Sequence, residues 1–211
     1  MKGRAVSRRA AVVVVTLVAS LVLAACGSGG GTPRVEPTVP TLPEITTTTN
    51  PYAVPATIDA AYVNRVLEAL DAALGDVYRL VIRTRDVSPE VIDRLNAIYL
   101  NRDDVNLELQ AIQRGMREGF TGFKDPVGNP KSTVTELITA SPSCIFARFA
   151  PDNSAMAVKS DGPSAPEWVG LQPADPARDP NHYNGTPWMI ATEGLLFPNG
   201  SPPPNPCAKA A

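Results

Sequence analysis

From Ile58 to about Arg83, apolar side chains recur at steps of three and four: Tyr62, Val66, Leu70, Leu74, Val77 and Val81, widened by Val63, Leu67 and Tyr78. That period predicts one long amphipathic helix with a broad buried face, capped by Thr57 or Asp59. Ser88-Pro89-Glu90 restates a helix start, with a cap, a proline at the first helical position and an acid in the first turn. Ile92, Leu95 and Ile98 or Tyr99 would form its inner stripe. A third helix is expected from about Asp103 to Glu118, with Val105, Leu109, Ile112 and Met116 inward and Gly119 ending it.

The pattern then changes to short β-compatible runs: Thr133 to Ala140, Cys144 to Ala150, Ser154 to Lys159, Glu167 to Gln172 and Trp188 to Leu196. Turn signals separate them, including Ser141-Pro142, Pro151-Asp152-Asn153, Asp161-Gly162-Pro163 and Asn184-Gly185. In the second run Ile145, Ala147 and Phe149 alternate against Phe146 and Arg148. Strands this close in sequence pair antiparallel, because parallel neighbours need long crossovers. Helices followed by a strand meander predict an α+β domain, with long helices packed on a curved antiparallel sheet.

The start of the chain carries a different message. Lys2, Arg4, Arg8 and Arg9 precede an uncharged run from Ala10 to Ala25, the pattern of a secretory signal. As a helix that run would span about 24 Å, short of a ~30 Å hydrocarbon core, so length favours a signal over a transmembrane anchor. It ends in Leu23-Ala24-Ala25-Cys26-Gly27, which resembles the lipobox of bacterial lipoprotein signal peptides. The resemblance implies cleavage before Cys26, whose thiolate takes a diacylglycerol, with an N-acyl chain such as palmitate as a second anchor. Ser7-Arg8-Arg9 also resembles part of a twin-arginine export signal, and both export routes stay open.

Composition follows from this. The whole chain has 19 Lys+Arg against 21 Asp+Glu; without residues 1–25 and their four cations, 15 face 21, a net charge of −6. That excludes an obviously basic nucleic-acid binder. Residues 27–57 hold six of the 22 prolines and eight threonines with no apolar period, and read as a disordered stalk between the lipid and the domain. The expected division is 1–25 signal, 26–57 lipidated Cys and tether, 58–211 one α+β domain with a Pro-rich tail. With Cys26 acylated, Cys144 and Cys207 are left as an even pair in an exported domain, and are expected to form a disulfide that fixes the tail.

Three stretches, Ala61 to Leu67, Cys144-Ile145 and Thr186-Pro187-Trp188-Met189-Ile190, make the domain similar to small actinobacterial lipoproteins of unknown function. The order of elements resembles the cone-shaped, cystatin-like fold of the nuclear transport factor two-like superfamily. The resemblance implies a fold without an assigned activity. Enzymes of that fold use an acid with Tyr or Asp in the pocket, which here nominates Tyr62, Tyr78 and Asp76. It also implies an apolar pocket lined by aromatics, for which Tyr62, Tyr78, Phe146, Trp168 and Trp188 are the candidates; the plainer reading is that these rings fill the core.

Other chemistry is thin. His182 lies near Asp175 and Asp179, but one histidine among loop acids reads as a turn rather than a metal site. Asp103 to Glu108 lacks the glycine and spacing of a calcium loop and fits an acidic helix start. Ser143 has no visible catalytic partner, and no G-x-S-x-G, H-E-x-x-H or phosphate loop occurs. No cofactor or metal is expected. The sequence therefore points to an extracytoplasmic lipoprotein on the outer face of the cell membrane. Its expected role is a non-enzymatic module that binds a partner protein, a wall component or a small apolar ligand. The alternatives are a pocket enzyme of isomerase or hydratase type with a carboxylate base, and a structural subunit of an envelope complex.

Overall fold

The computed structural model describes residues 53–194 and 202–209. The expected signal segment, Cys26, the expected tether up to residue 52, and the end of the last expected strand at Leu195 and Leu196 lie outside the described residues. Three helices come first, α1 (Ala60–Thr84), α2 (Pro89–Ile98) and α3 (Arg102–Arg117). Four strands follow, β1 (Lys131–Ser141), β2 (Cys144–Asp152), β3 (Glu167–Pro173) and β4 (Trp188–Gly194), then a single 3₁₀ turn, Pro206–Lys209. The strands form one antiparallel meander in the order β1-β2-β3-β4. The domain is α+β, with helices packed on an antiparallel sheet.

Asp59, not Thr57, caps α1: its Oδ1 accepts the Tyr62 N–H at 2.7 Å. The buried stripe of α1 runs through Val63, Val66, Leu67, Leu70, Ala73, Val77, Tyr78, Leu80 and Val81, while Tyr62 and Leu74 are only half-buried. Each fully buried aliphatic side chain on that stripe stabilises the fold by about 1.5–3 kcal/mol relative to exposure. In α2 the buried residues are Val91, Leu95, Ala97 and Ile98, and Ile92 is 38% exposed. The expected stripe was off by one at its start. Val91 and Ile92 both fit a helical period with Leu95 and Ile98, and in so short a helix the neighbour it packs against, α1, settles the choice. In α3, Val105 and Ile112 are buried and Leu109 and Met116 half-buried, with Asp103 and Asp104 in the first turn.

The expected strand over Ser154 to Lys159 is absent. Asp152 Oδ1 accepts the Ser154 N–H at 2.8 Å, and the Asn153 carbonyl accepts the N–H groups of Met156 and Ala157. This turn chemistry overrides the β-compatible side chains. Here β3 already occupies the edge of β2, so the segment contributes only an isolated bridge, Phe123 with Ala157.

Cross-strand partners share a face of a sheet, so the registers assign both faces. Ile145, Ala147, Phe149, Val169, Leu171 and Ile190 face the helices and join their core. Phe146, Arg148, Trp168 and Gly170 face the other way. Both sheet edges are covered in part by groups from the helical half. Asn64 Oδ1 accepts the Val134 N–H at 2.8 Å, and Asp71 accepts the Ser132 N–H at 2.5 Å, so α1 caps the start of β1. Along β4, Leu100 N–H donates to the Ile190 carbonyl at 2.8 Å, and Asn101 Nδ2 donates to the Ala191 carbonyl.

Candidate functional site

The groups with most chemical character lie between the helices and the inner face of the sheet. Glu193 arrives there through an irregularity in β4. Leu171 pairs with Ile190 and Gly170 with Thr192, so one extra residue of β4 flips the alternation and sets Glu193 opposite Val169 on the inner face. Glu167, opposite Phe149, shares that face. From the helices come Asp71 of α1 and Glu108 of α3, and from the end of α2 comes Tyr99.

Their electrostatics run in one direction. Desolvation first, then the charges of Glu167, Glu108, Asp71 and Asp104, push the Glu193 carboxyl up to about 8. Glu193 is nevertheless exposed to solvent, so water screens it and desolvation acts on it less than that value implies. Desolvation also raises Asp71, against the hydrogen bonds from Ser132 that favour its charged form. Glu108 is raised by desolvation and held back by Tyr78, whose hydroxyl donates to Glu108 Oε1 at 2.5 Å. The phenols of Tyr78 and Tyr99 are both raised, chiefly by burial. A raised carboxyl lining the same cavity as a buried tyrosine is the kind of pair that can pass a proton.

Space decides what this pair can do. The cavity that Asp71, Tyr99, Ser132 and Glu193 share with Leu70 and Phe149 measures about 30 Å³. That holds a water molecule or so, whereas small-ligand sites occupy roughly 300–1,000 Å³. A larger cleft of about 640 Å³, lined by polar residues including Asn64, Glu68, Lys131 and Thr133, adjoins it at Asp71 and Ser132, along the edge where α1 meets β1.

The residues nominated from sequence are distributed as follows. Trp188 is fully buried in the inner core, its Nε1 donating to the Tyr62 hydroxyl at 2.8 Å, and Tyr78 is buried in the same core about four turns further along α1, against Phe123. Asp76 is exposed and pairs with Arg79 at 2.8 Å, away from the cavity. Phe146 and Trp168 sit on the opposite face of the sheet, stacked with centroids 5.2 Å apart beneath the tail, so no single pocket gathers the five rings. Cys144 and Cys207 are joined in a disulfide with Cα atoms 5.5 Å apart. Cys26 lies outside the described residues.

The loop before β4 uses its acids for architecture. Asp179 is buried and accepts the N–H groups of Tyr183 and Asn184 at 2.7 and 3.2 Å. Asn184, also buried, donates to the carbonyls of Ala97 and Trp188 and accepts the Thr186 N–H. Asp175 closes a turn on Ala177. Among the described residues no group of three or more His, Cys, Asp and Glu is placed to hold a metal ion, and no helix is long and apolar enough to cross a membrane.

Sequence reasoning did not single out Glu193, Asp71 or Glu108. Glu108 carried a signal, since Val105, Glu108 and Ile112 follow the helical period and put an acid on the stripe. Glu193 carried none, because strict alternation from Ile190 points Thr192 inward. No protein-family model matches the chain, and neither a curated protein nor a solved structure matches it.

Proposed function

We propose that this chain is a lipid-anchored, extracytoplasmic binding or accessory module of the cell envelope. In this reading Cys26 carries the lipid, residues 26–57 hold the domain off the membrane, and the domain is a closed variant of the cone-shaped, cystatin-like architecture. A long helix laid against a four-stranded antiparallel meander supports that architecture. The observation that carries the functional reading is the cavity of only about 30 Å³ against Leu70, Ile98, Phe149 and Val169, too small to enclose an apolar ligand, while the larger cleft of about 640 Å³ at Asn64, Glu68, Asp71 and Ser132 lies along the edge where α1 meets β1. Recognition then belongs to the outside of the domain, toward a partner protein or wall component.

The test places a photo-crosslinking residue at exposed Leu107, Ile138 or Val158, one at a time, in the full chain in intact envelopes. A discrete adduct from one of these positions and none from a buried control such as Ile112 is the expected result. Cys26→Ser should release the protein from the membrane, and continued tight attachment would overturn the anchor. A pocket enzyme is the second reading, favoured by the raised Glu193 carboxyl in the cavity with Tyr99. Turnover of an envelope metabolite that Glu193→Gln abolishes without loss of stability would establish it in place of the binding module.

A further inference from the structure

A second concavity, of about 460 Å³, opens where the last turns of α1 meet the segment joining α3 to β1. Its floor is apolar. Phe120 is buried, Phe123 half-buried, and Phe123 stacks on Tyr78 with centroids 5.0 Å apart while meeting Phe120 edge-on at 5.6 Å. Its rim is cationic, with Arg79, Arg83, Arg85 and Lys124 against one acid, Asp125.

Arg79 is committed to structure: it binds Asp76 and Asn129 at 2.8 Å and the Val127 carbonyl at 3.2 Å, which pins the segment to α1. Arg83, Arg85 and Lys124 have no carboxylate within ion-pair distance among the described residues. Arg85 lies with its guanidinium 5.1 Å from the centre of the Phe120 ring. Three cations outside any ion pair, around a groove with one rim acid, Asp125, stand out in a chain of net charge −2, although the charge of Lys124 also acts on Asp152. The carbonyl end of α1, which would repel an anion, is partly quenched, because Arg85 N–H closes on the Val81 carbonyl at 2.7 Å and Thr84 Oγ1 on that of Leu80 at 2.9 Å.

The groove is also preformed. Phe120 N–H bonds the Gly115 carbonyl at 2.8 Å, and Lys124 N–H bonds that of Met156 at 2.9 Å. Phe120 packs on Gly115 so closely that an added Cβ there would lie 2.6 Å from the ring. Arg85 and Phe120, stacked on each other, both hold left-handed backbone, with φ of 55° and 58°. Non-glycine residues in that conformation persist where the surroundings over-determine them, and such places tend to be functional.

We propose that this groove binds a phosphate ester bearing an aromatic or apolar group. Arg83, Arg85 and Lys124 would take the phosphoryl oxygens and Phe123 the apolar body. Planar guanidinium forks match phosphate geometry, and a doubly charged group calls for more than one cation, where a carboxylate would be met by a single arginine. The volume falls within the range of small-ligand sites. The assignment stands on the groove itself and does not depend on how the chain is anchored.

The full chain is titrated calorimetrically with three probes: phenyl phosphate, inorganic phosphate, and dihexanoyl phosphatidic acid below its micelle concentration. Saturable one-to-one binding of phenyl phosphate, tighter than inorganic phosphate and weakened by salt, is expected. Arg83→Gln with Lys124→Gln, both exposed positions, should weaken it at least about tenfold, since each removes a charge-assisted contact. Arg85→Gln should weaken it further. A lipid headgroup as the natural source would show as tighter binding of the phosphatidic acid probe, and a soluble ester as the reverse. The proposal is overturned if no probe saturates, if the charge-removed variant binds phenyl phosphate as the parent does, or if phenyl phosphate binds no better than inorganic phosphate.

Discussion

The two faces of the sheet are built from the same strands and held in different ways. On the inner face, Ile145, Ala147, Phe149, Val169 and Leu171 meet a 25-residue helix whose backbone hydrogen bonds are its own and whose apolar stripe is continuous. On the outer face, Phe146 and Trp168 are covered by a tail that reads Pro202-Pro203-Pro204-Asn205-Pro206-Cys207. Prolines have no N–H to offer, so that tail can neither extend the sheet nor form a regular helix. What holds it is the Cys144–Cys207 bond, Asn205 Nδ2 donating to Thr139 Oγ1 at 3.2 Å, and Pro206 seated on Gly170. A layer with cooperative internal structure needs no covalent staple, and one without it does.

The largest expected effect lies on the inner face. Trp188→Ala empties the centre of the core and leaves the Tyr62 hydroxyl without its donor, and should destabilise by about 4–5 kcal/mol. Urea denaturation reads this directly, and a loss near 1 kcal/mol would mean that the inner layer is held by something other than packing. On the outer face, Cys207→Ser opens a bond spanning 63 residues of sequence, worth about 4 kcal/mol on the chain-entropy model. The contrast lies in where the loss appears. Limited proteolysis should cut the tail and near-ultraviolet dichroism should lose the Phe146–Trp168 contribution, while amide exchange in α1 keeps its rank as the slowest. If α1 loosened first, the two layers would not be separable.

Gly170 gives a finer test. A Cβ there would lie 2.5 Å from Pro206 Cγ and 2.7 Å from Thr192 Cγ2, so Gly170→Ala pushes against the stapled tail. About 2 kcal/mol is expected for such overpacking. In the Cys207→Ser background the tail can lift away and the effect should fall by about half, a coupling that a double-mutant cycle measures. Equal effects in both backgrounds would place the strain in the sheet alone.

Much of this arrangement was legible in the sequence. The α1 period, Pro89 at its helix start, and the alternation of Ile145, Ala147 and Phe149 each carry one signal that tertiary packing does not reverse. The failures have a common cause. Ser154 to Lys159 looked like a strand because side-chain composition was read without the Asp152 turn that uses up its backbone groups. Phe146 and Trp168 were assigned to a pocket as aromatics, although Phe146 alternates against Ile145 and Ala147 and so faces the tail. Glu193 was invisible for a stronger reason. Its side is set by an irregularity in pairing between β3 and β4, and pairing is a property of two strands that neither sequence shows alone. The groove of Arg83, Arg85 and Lys124 was missed likewise, since it joins two segments some 40 residues apart.

The smallest effect, and the one that tests the irregularity itself, concerns carboxylates on the two faces. Glu193 has its folded value raised from an ordinary 4.5 to about 8. Below about 4.5 it is protonated whether the chain is folded or not, and its contribution is fully present. As pH climbs toward 8 the unfolded chain gives up this proton while the folded chain retains it, so stability falls across that window and then levels. Asp71, Glu108 and Glu167 are also raised and act with the same sign. Glu193→Gln should therefore flatten only part of the slope between pH 5 and 8, seen as a smaller shift in urea midpoint than the parent shows. Water reaches the exposed Glu193 side chain, which keeps the difference modest. On the outer face, Glu136 pairs with Arg148 at 3.7 Å in solvent, a contact worth little to stability. If Glu193→Gln left the parent's pH profile unchanged, Glu193 would not stand on the inner face, and the extra residue in β4 would not be doing what the register assigns to it.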